Sequence, residues 1–175
     1  MEIVHRAEFD TPIGSMLCAT TERGLAYVQL PRAGGRGFAD WLRRQAAGAE
    51  LRTGFAPNKA AIQQIREYLD GKRSEFELPL DLRGTDFHRR VWAALLEIPY
   101  GQTRSYGDIT RAIGAPPGAA RVVGTANGSN PCAIVVPCHR VIASGGKLGG
   151  YGGGLPLKRR LLALEHARPA DGDLL

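Results

Sequence analysis

The chain has 175 residues, 43% of them hydrophobic and 23% charged, which is typical of a globular protein with one large core or two small ones. No apolar run approaches the length of a membrane span, and no basic region followed by an apolar core predicts a secretion signal. The net charge of +6 lies mainly in residues 86–175, which carry 11 Lys and Arg against 6 Asp and Glu. A basic half favours an anionic partner such as nucleic acid, although such a charge also serves solubility alone.

The cysteines argue against a disulfide-stabilised protein and against a zinc-binding one. Cys18, Cys132 and Cys138 are odd in number and not closely paired, which argues against a disulfide framework and predicts a reducing, cytoplasmic location. Their spacing relative to the histidines matches no zinc site, so we expect no metal.

The first 82 residues predict a small α/β domain. Alternating apolar residues predict a meander of short strands, followed by two amphipathic helices, the second capped by Asn58 and ended by Asp70-Gly71. The strands are expected over residues 3–9, 16–20, 25–30 and 76–80. The glycine-rich loop at residues 34–37 lacks the features of a phosphate-binding loop, and nothing in this half indicates chemistry.

Residues 83–175 predict a second, mainly helical domain. Thr85 or Asp86 caps a first amphipathic helix, and the capping-box spacing at residues 105–108 begins a short second one. A Gly/Pro turn separates that helix from another over residues 119–126, and the pair forms a helix-turn-helix. A final helix begins at Pro156.

The second helix of this pair is unusual for a DNA reader. Its side chains are almost all small, whereas a major-groove helix carries several polar side chains for the base edges. The exception is Arg121, which could enter a minor groove or fill a gap in a base stack. The alternative is that Arg121 is a solvated surface charge.

The stretch from Ile134 to Ile142 holds the residues that most clearly indicate chemistry. Bulky β-branched residues on both sides predict a buried, strand-like segment. Within it, Cys138 precedes His139, and a thiol beside a base is the arrangement that makes a thiolate nucleophile available. The alternative is a buried structural cysteine that packs as a small hydrophobe.

The chain after this stretch offers weaker signals. The glycine-rich residues 149–154 would let backbone amides approach a planar ligand, with Tyr151 as a stacking wall. In the last helix, Leu157, Leu161 and Leu164 are expected to face inward. The cations at 158–160 occupy a first turn, where the helix dipole disfavours them, which suggests a bound anion. Residues 167–175 are expected to be disordered.

These motifs together resemble the O6-alkylguanine-DNA alkyltransferases, and their residues are most similar to those of the bacterial Ogt-type members. The match is strong over residues 80–166 and loose before them. The segments that carry it, in the family's order, are Arg104-Ser105-Tyr106, Ala119-Ala120-Arg121-Val122-Val123-Gly124, Asn127-Gly128-Ser129-Asn130-Pro131, Ile134-Val135-Val136-Pro137-Cys138-His139-Arg140-Val141-Ile142 and Gly150-Tyr151-Gly152-Gly153-Gly154.

The resemblance implies a fold and a reaction. The fold is an N-terminal ribonuclease H-like α/β domain followed by a winged helix-turn-helix domain that holds the active-site cysteine. Cys138 accepts the alkyl group from O6-alkylguanine irreversibly, so each molecule acts once and needs no cofactor. His139 draws off the thiol proton through a water, Glu165 orients the imidazole, and Asn130 holds the turn that leads to the active site.

We expect a monomer without an obligate protein partner, with cooperative binding along DNA as the alternative. The resemblance also implies how the protein binds duplex DNA. The helix bearing Ala120, Arg121 and Gly124 lies in the minor groove, and Arg121 fills the space of the flipped nucleotide. Tyr106 crowds the 3′ phosphate. The base pocket is bounded by Tyr106, Val141, Tyr151 and Gly152. The chain departs from the animal members at Asn127, Ala133 and Gly152, and a roomier pocket would suit larger adducts and O4-alkylthymine.

Three alternatives have distinct signatures. The alkyltransferase-like proteins bind lesions but lack the nucleophile, whereas Cys138 is present here. A plain helix-turn-helix regulator would need polar base-reading residues on 119–126. A cysteine hydrolase using Cys138 and His139 would recover its thiol after each turnover.

Overall fold

The computed structural model describes residues 1–31 and 37–167, and the chain forms two compact units. The first unit comprises the chain up to Arg83 and a returning segment, Pro131–Val135. The second comprises Gly84–Asn130 and the chain from Val136 onward. The chain therefore rejoins the first unit for five residues just before it reaches Cys138. The sequence pattern places a boundary at residue 82 but does not predict this return.

The first unit is built on a four-stranded sheet with the strand order β3-β2-β1-β4. Its antiparallel part is the predicted meander of β1 (Ile3–Thr11), β2 (Gly14–Thr21) and β3 (Gly24–Gln29). The edge strand β4 (Glu50–Thr53) runs parallel to β1. Sequence patterning misses β4 because all four of its side chains are exposed, so no apolar alternation marks it.

Both helices predicted for the first unit are present. They are α1 (Gly37–Gln45) and α2 (Lys59–Leu69). Asn58 stands at the N-cap of α2, but its side chain does not cap the helix. Its amide instead donates to the carbonyls of His5 and Gly54, each at 3.1 Å, and so ties the helix start to β1.

The strand predicted over residues 76–80 is wrong. Leu80 forms only an isolated parallel bridge with Leu25, flanked by bonds from Leu25 N to Pro79 O and from Asp81 N to Leu25 O, both 2.8 Å. Pro79 has no N–H to donate to a ladder, so pairing stops there. The returning segment meets the same strand, through a bond of 2.8 Å from Val28 N to Pro131 O.

The second unit holds four helices within the described chain, α3 (Asp86–Leu96), α4 (Tyr106–Ala112), α5 (Ala120–Gly128) and α6 (Leu155–Leu164). Thr85 caps α3 by accepting from His88 N, and the predicted capping box between Ser105 and Asp108 begins α4. Trp92 on α3 donates from Nε1 to Ala126 O on α5 at 2.9 Å, which fixes the helix-turn-helix against α3. Two short strands, β5 (Arg104–Ser105) and β6 (Val141–Ile142), pair in parallel.

Among the described residues, no helix is long and apolar enough to cross a membrane. Two sequence predictions fall outside these residues. They are the flexible loop, of which residues 34–36 are not described, and the tail, of which residues 168–175 are not described.

Candidate active site

The segment that carries Cys138 is buried from Pro131 to Ile142, as its sequence predicts. It is not, however, a continuous strand. Cys138–Arg140 forms one turn of 3-10 helix, and only β6 is extended. Pro137 lacks a ladder donor, and Cys138 N instead bonds Val136 O at 2.8 Å in a tight turn. With three residues per turn, the side chains of Cys138, His139 and Arg140 project in different directions and reach different partners.

Asn130 supports this turn from the end of α5. Its Nδ2 donates to Val136 O at 2.8 Å, and its side chain also hydrogen-bonds the Cys138 thiol. Burial raises the pKa of that thiol. The bond from Asn130, the charge of Lys158 and the N–H groups of Cys138 and His139 act in the opposite direction, because each favours the thiolate.

Glu165 pairs with the two residues that follow the thiol, His139 and Arg140. His139 Nε2 lies 2.9 Å from Glu165 Oε1, and both side chains are fully buried. Arg140 contacts both carboxylate oxygens, at 2.9 Å through Nε and at 2.7 Å through Nη2, and donates from Nη1 to Ile98 O at 2.7 Å. Burial alone would raise the pKa of the Glu165 carboxyl, but the hydrogen bonds from His139 and Arg140 lower it to about 2.

These contacts define the state of His139. Burial lowers the pKa of its imidazole, and the bond with Glu165 only partly opposes that effect, so the ring is neutral at pH 7. Because the Glu165 carboxylate is ionised and only accepts, His139 Nε2 must be the atom that donates. The acceptor nitrogen of the neutral ring is then Nδ1, which is the atom able to take a proton.

Lys158 is a site residue that sequence reasoning missed. Its side chain is fully buried, and Nζ donates to Val141 O at 2.6 Å and to Gly150 O at 3.1 Å. Burial lowers its pKa to about 8, and the interaction with Cys138 acts against that shift. Lys158 therefore serves as a cation beside the thiol rather than as part of an exposed anion site.

Lys158 could have been recognised as buried from the spacing of residues along α6. The expected inward residues Leu157 and Leu164 are only partly buried. The buried stripe of α6 and its C-cap is instead Lys158, Leu161, Leu162 and Glu165, which are spaced i, i+3, i+4 and i+7. The two charged residues were not recognised as members because charge predicts exposure.

Tyr106 begins α4 and forms one wall beside the thiol. Burial and the neighbouring Cys138 raise the pKa of its hydroxyl, and the Asn127 side chain hydrogen-bonds it. A Cβ placed on Gly124 would lie 3.7 Å from the Tyr106 ring, and one on Gly149 would lie 3.4 Å from its hydroxyl. Both glycines therefore lie directly beside the ring.

The glycine-rich loop supplies the opposite wall. The Tyr151 ring meets the His139 ring edge-on, with centroids 6.5 Å apart and an angle of 81° between the planes. Val141, predicted to line the base pocket, is buried, and its carbonyl accepts from Lys158. Gly152 is exposed, and a Cβ placed there would meet no atom within 4 Å.

Of the residues predicted to contact DNA, Tyr106 belongs to this cluster, and the other three lie on α5. Arg121 is exposed and Ala120 half-exposed, while Gly124 faces Tyr106. The structure thus brings Cys138 together with Asn130, His139, Glu165, Tyr106 and Tyr151, and leaves Arg121 at the surface. Over residues 1–31 and 37–167, no group of three or more His, Cys, Asp or Glu side chains is arranged to hold a metal ion.

Two family comparisons match the two parts of the chain. Residues 86–167 match the DNA binding domain of 6-O-methylguanine DNA methyltransferase, and residues 4–82 match its ribonuclease-like domain. These matches accord with the α/β and helical halves expected from the sequence.

Relatives of similar length extend the comparison. A methylated-DNA–protein-cysteine methyltransferase of Mycobacterium leprae is 46% identical over 93% of both chains. One from Mycobacterium bovis is 60% identical over 69% of this chain and 75% of its own length. The crystal structure of Mycobacterium tuberculosis OGT in complex with DNA has a TM-score of 0.80 at 47% identity, over 95% of this chain and 96% of that one. The chain therefore belongs to the 6-O-methylguanine DNA methyltransferase family.

Proposed function

We propose that this protein repairs duplex DNA by moving the alkyl group of O6-alkylguanine onto Cys138, once per molecule. The observation that carries the proposal is the cluster around one thiol: Asn130 bonds the sulfur, and His139 is held by Glu165 in the tautomer that can accept a proton. Relatives named methylated-DNA–protein-cysteine methyltransferase support the same reaction.

The chemistry balances with these groups alone. The Cys138 thiol loses its proton to His139 Nδ1 through a water molecule, and Glu165 stabilises the imidazolium that forms. The thiolate then attacks the alkyl carbon in line, and a C–S bond replaces the bond from carbon to O6. The bonding electrons pass to the purine, which takes up the proton that His139 had received, through water, and becomes guanine. Loss of the alkyl group from the resulting thioether would have to expel a thiolate, which is a poor leaving group from an alkyl carbon, so the thiol is not regenerated.

DNA binding is assigned to α5 and to Tyr106. The small side chains of Ala120 and Gly124 allow close approach to the minor groove, and Arg121 occupies the space that the flipped nucleotide leaves. Tyr106 crowds the 3′ phosphate and assists rotation of the base. Extrusion costs a few kcal/mol and costs least for a badly paired base, which favours lesions over normal guanine.

The pocket determines which adducts are accepted. Tyr106, Tyr151 and Val141 bound it, and the open space beside Gly152 leaves room for groups larger than methyl. We infer that larger O6-alkyl adducts, and O4-alkylthymine, also react. The protein acts as a monomer in the cytoplasm without a cofactor, and a reducing compartment suits three cysteines that form no disulfide.

Stoichiometry tests the reaction class. Purified protein is incubated with excess duplex DNA that carries O6-methylguanine, and repaired lesions are counted per protein molecule. We expect one repair per molecule. An intact lesion bound to unmodified protein would match the alkyltransferase-like alternative, and many repairs per molecule would match the hydrolase alternative.

Arg121 tests the base-flipping part separately. Arg121→Ala is expected to weaken duplex binding about tenfold while its reaction with the free O6-alkylguanine base is unchanged. The matched control is Arg89→Ala, which removes an exposed cation from a different helix, α3. Equal losses with duplex and free base would remove the flipping role from Arg121.

A further inference from the structure

The Tyr151 hydroxyl is an unexplained polar group in the site. Tyr151 as a residue is partly exposed, yet its hydroxyl oxygen is buried and, among the described residues, has no hydrogen-bond partner. Leaving a buried hydroxyl unpaired is unfavourable, because its lost hydration is not replaced by another hydrogen bond. Such a group at a reactive site is expected to find its partner in another state of the reaction.

The loop that carries Tyr151 is fixed on the site by backbone contacts. Lys158 Nζ donates both to Gly150 O, next to Tyr151, and to Val141 O, three residues after Cys138. Gly154 N donates to Tyr151 O at 3.0 Å and closes a turn. Together with the edge-on contact to the His139 ring, these bonds hold the hydroxyl end of Tyr151 inside the site.

Several acceptors of the site are already engaged. The Glu165 carboxylate accepts from His139 and Arg140, and the carbonyls of Val141 and Gly150 accept from Lys158. Cys138 differs, because its sulfur changes from a weak acceptor to an anion when it loses its proton. The phenol remains a donor throughout, because burial and the charges of Cys138 and Glu165 raise the pKa of Tyr151 well above its usual value.

We propose that the Tyr151 hydroxyl donates a hydrogen bond to the Cys138 thiolate and so stabilises the nucleophile selectively over the resting thiol. The inference rests on the proposed function in taking Cys138 as the nucleophile, and it assigns Tyr151 a role beyond that of a pocket wall. The thiol proton still passes to His139, and Tyr151 keeps its own proton, so no further proton acceptor is needed.

Other ionisable groups face the thiol and define the useful pH range. They are Tyr106 from α4, Lys158 and Glu165 from α6 and its C-cap, and His139 with the neighbouring Arg140. Up to about pH 7, Lys158 is mostly protonated, both tyrosines keep their protons and Glu165 is ionised. Labelling rates at pH 7 therefore compare variants in which these neighbours carry the same charge.

The test uses Tyr151→Phe, which removes the hydroxyl and keeps the ring. Iodoacetamide labelling of Cys138 is followed between pH 5.5 and 7.5 on the full chain without DNA. We expect labelling at pH 7 to slow about tenfold, as a charge-assisted hydrogen bond to an anion would give. Tyr27→Phe, which alters a tyrosine of the first unit packed against Phe38 and Trp41, is the control and should label like wild type.

Urea unfolding of the same variant excludes a structural explanation. Removing an unpaired hydroxyl should leave the free energy of unfolding unchanged or slightly higher. A clear loss of stability would show that the hydroxyl has a partner in the resting protein and would overturn the proposal, as would a labelling profile that superimposes on wild type.

The labelling assay and the repair assay test the two hypotheses independently. If wild type does not take methyl groups from DNA but Tyr151→Phe slows labelling, the proposed function is wrong and the Tyr151 inference stands. If repair is normal and labelling is insensitive to Tyr151→Phe, only the Tyr151 inference is wrong.

Discussion

Cys132 and Cys138 lie six positions apart in one buried segment, yet their surroundings differ in kind. The Cys132 sulfur lies 4.0 Å from Leu25 O, a weak contact, and burial raises its pKa, with Asp81 and Cys18 adding to the effect. Around Cys138, burial acts in the same direction, but Asn130, Lys158 and two backbone N–H groups oppose it.

The comparison indicates that burial without opposing groups disfavours the thiolate. Cys18 supports this conclusion, since burial raises its pKa to about 12. A nucleophile requires groups that favour the anion and a base to take its proton, and the 3-10 turn at Cys138–Arg140 brings both. The two sets of surroundings can be tested against each other by substitution.

Replacing the two thiols should have opposite outcomes. Cys138→Ala is expected to abolish methyl transfer from duplex DNA while lesion binding persists, because the groups on α5 are untouched. Cys132→Ala is the matched control and should transfer at close to the wild-type rate. Transfer by Cys138→Ala would mean that another residue accepts the alkyl group.

Removing the charge of Glu165 should have the next largest effect. Glu165→Gln no longer stabilises the imidazolium of His139, so we expect single-turnover transfer to slow on the order of 10²-fold. DNA affinity should be nearly unchanged. The same change leaves Arg140 buried without its carboxylate, which should lower the free energy of unfolding by about 3–5 kcal/mol. Normal transfer together with lost DNA binding would instead assign α6 to phosphate contact.

Glu165 also predicts an acid sensitivity. Its pKa falls from 4.5 to about 2 on folding, so its contribution to stability is fully present above pH 4.5 and is lost as the pH falls towards 2. Urea unfolding of wild type and Glu165→Gln at several pH values measures this. The stability difference between them should shrink in that range. A constant difference would contradict the low pKa.

Lys158 should have a smaller effect on the rate. Lys158→Met removes the cation near the Cys138 sulfur and should slow transfer at pH 7 about tenfold. In wild type, deprotonation of Lys158 near pH 8 should remove the same charge effect at higher pH. Lys147→Met, which removes an exposed cation outside α6, is the control. Equal rates for the two variants would exclude an electrostatic role for Lys158.

Cys132→Ala should show its small effect in stability alone. Its sulfur is fully buried, so truncation leaves a small cavity that lowers the free energy of unfolding by about 1–2 kcal/mol. Thermal unfolding measures this. A loss of transfer larger than the loss of folded protein would show that the segment before Cys138 positions the nucleophile.

Local signals in the sequence predicted much of the fold. The meander has alternating apolar residues, and the caps at Thr85 and Ser105 have the expected residue types. Strand β4 was missed because it is exposed, and the strand at 76–80 was wrong because Pro79 interrupts pairing. The return of Pro131–Val135 to the first unit depends on long-range pairing with Val28, which no local pattern encodes.

The site was predictable where its residues are adjacent in sequence. Cys138 and His139 stand together, and the resemblance to a known family supplied Glu165, Asn130, Tyr106 and Tyr151. The part played by Lys158 could not be inferred from its charge, because a buried lysine bonded to two carbonyls is rare. The contacts of Arg140 with Glu165 likewise join residues that are 25 positions apart.

Locating the transferred group tests the central claim most directly. After reaction with excess O6-methylguanine duplex, trypsin releases residues 122–140 as one peptide that holds both Cys132 and Cys138, so fragmentation between them is needed. We predict a single methyl group on Cys138 and none on Cys132 or Cys18. A methyl group on Cys132, or repaired DNA with all three thiols unmodified, would contradict the account.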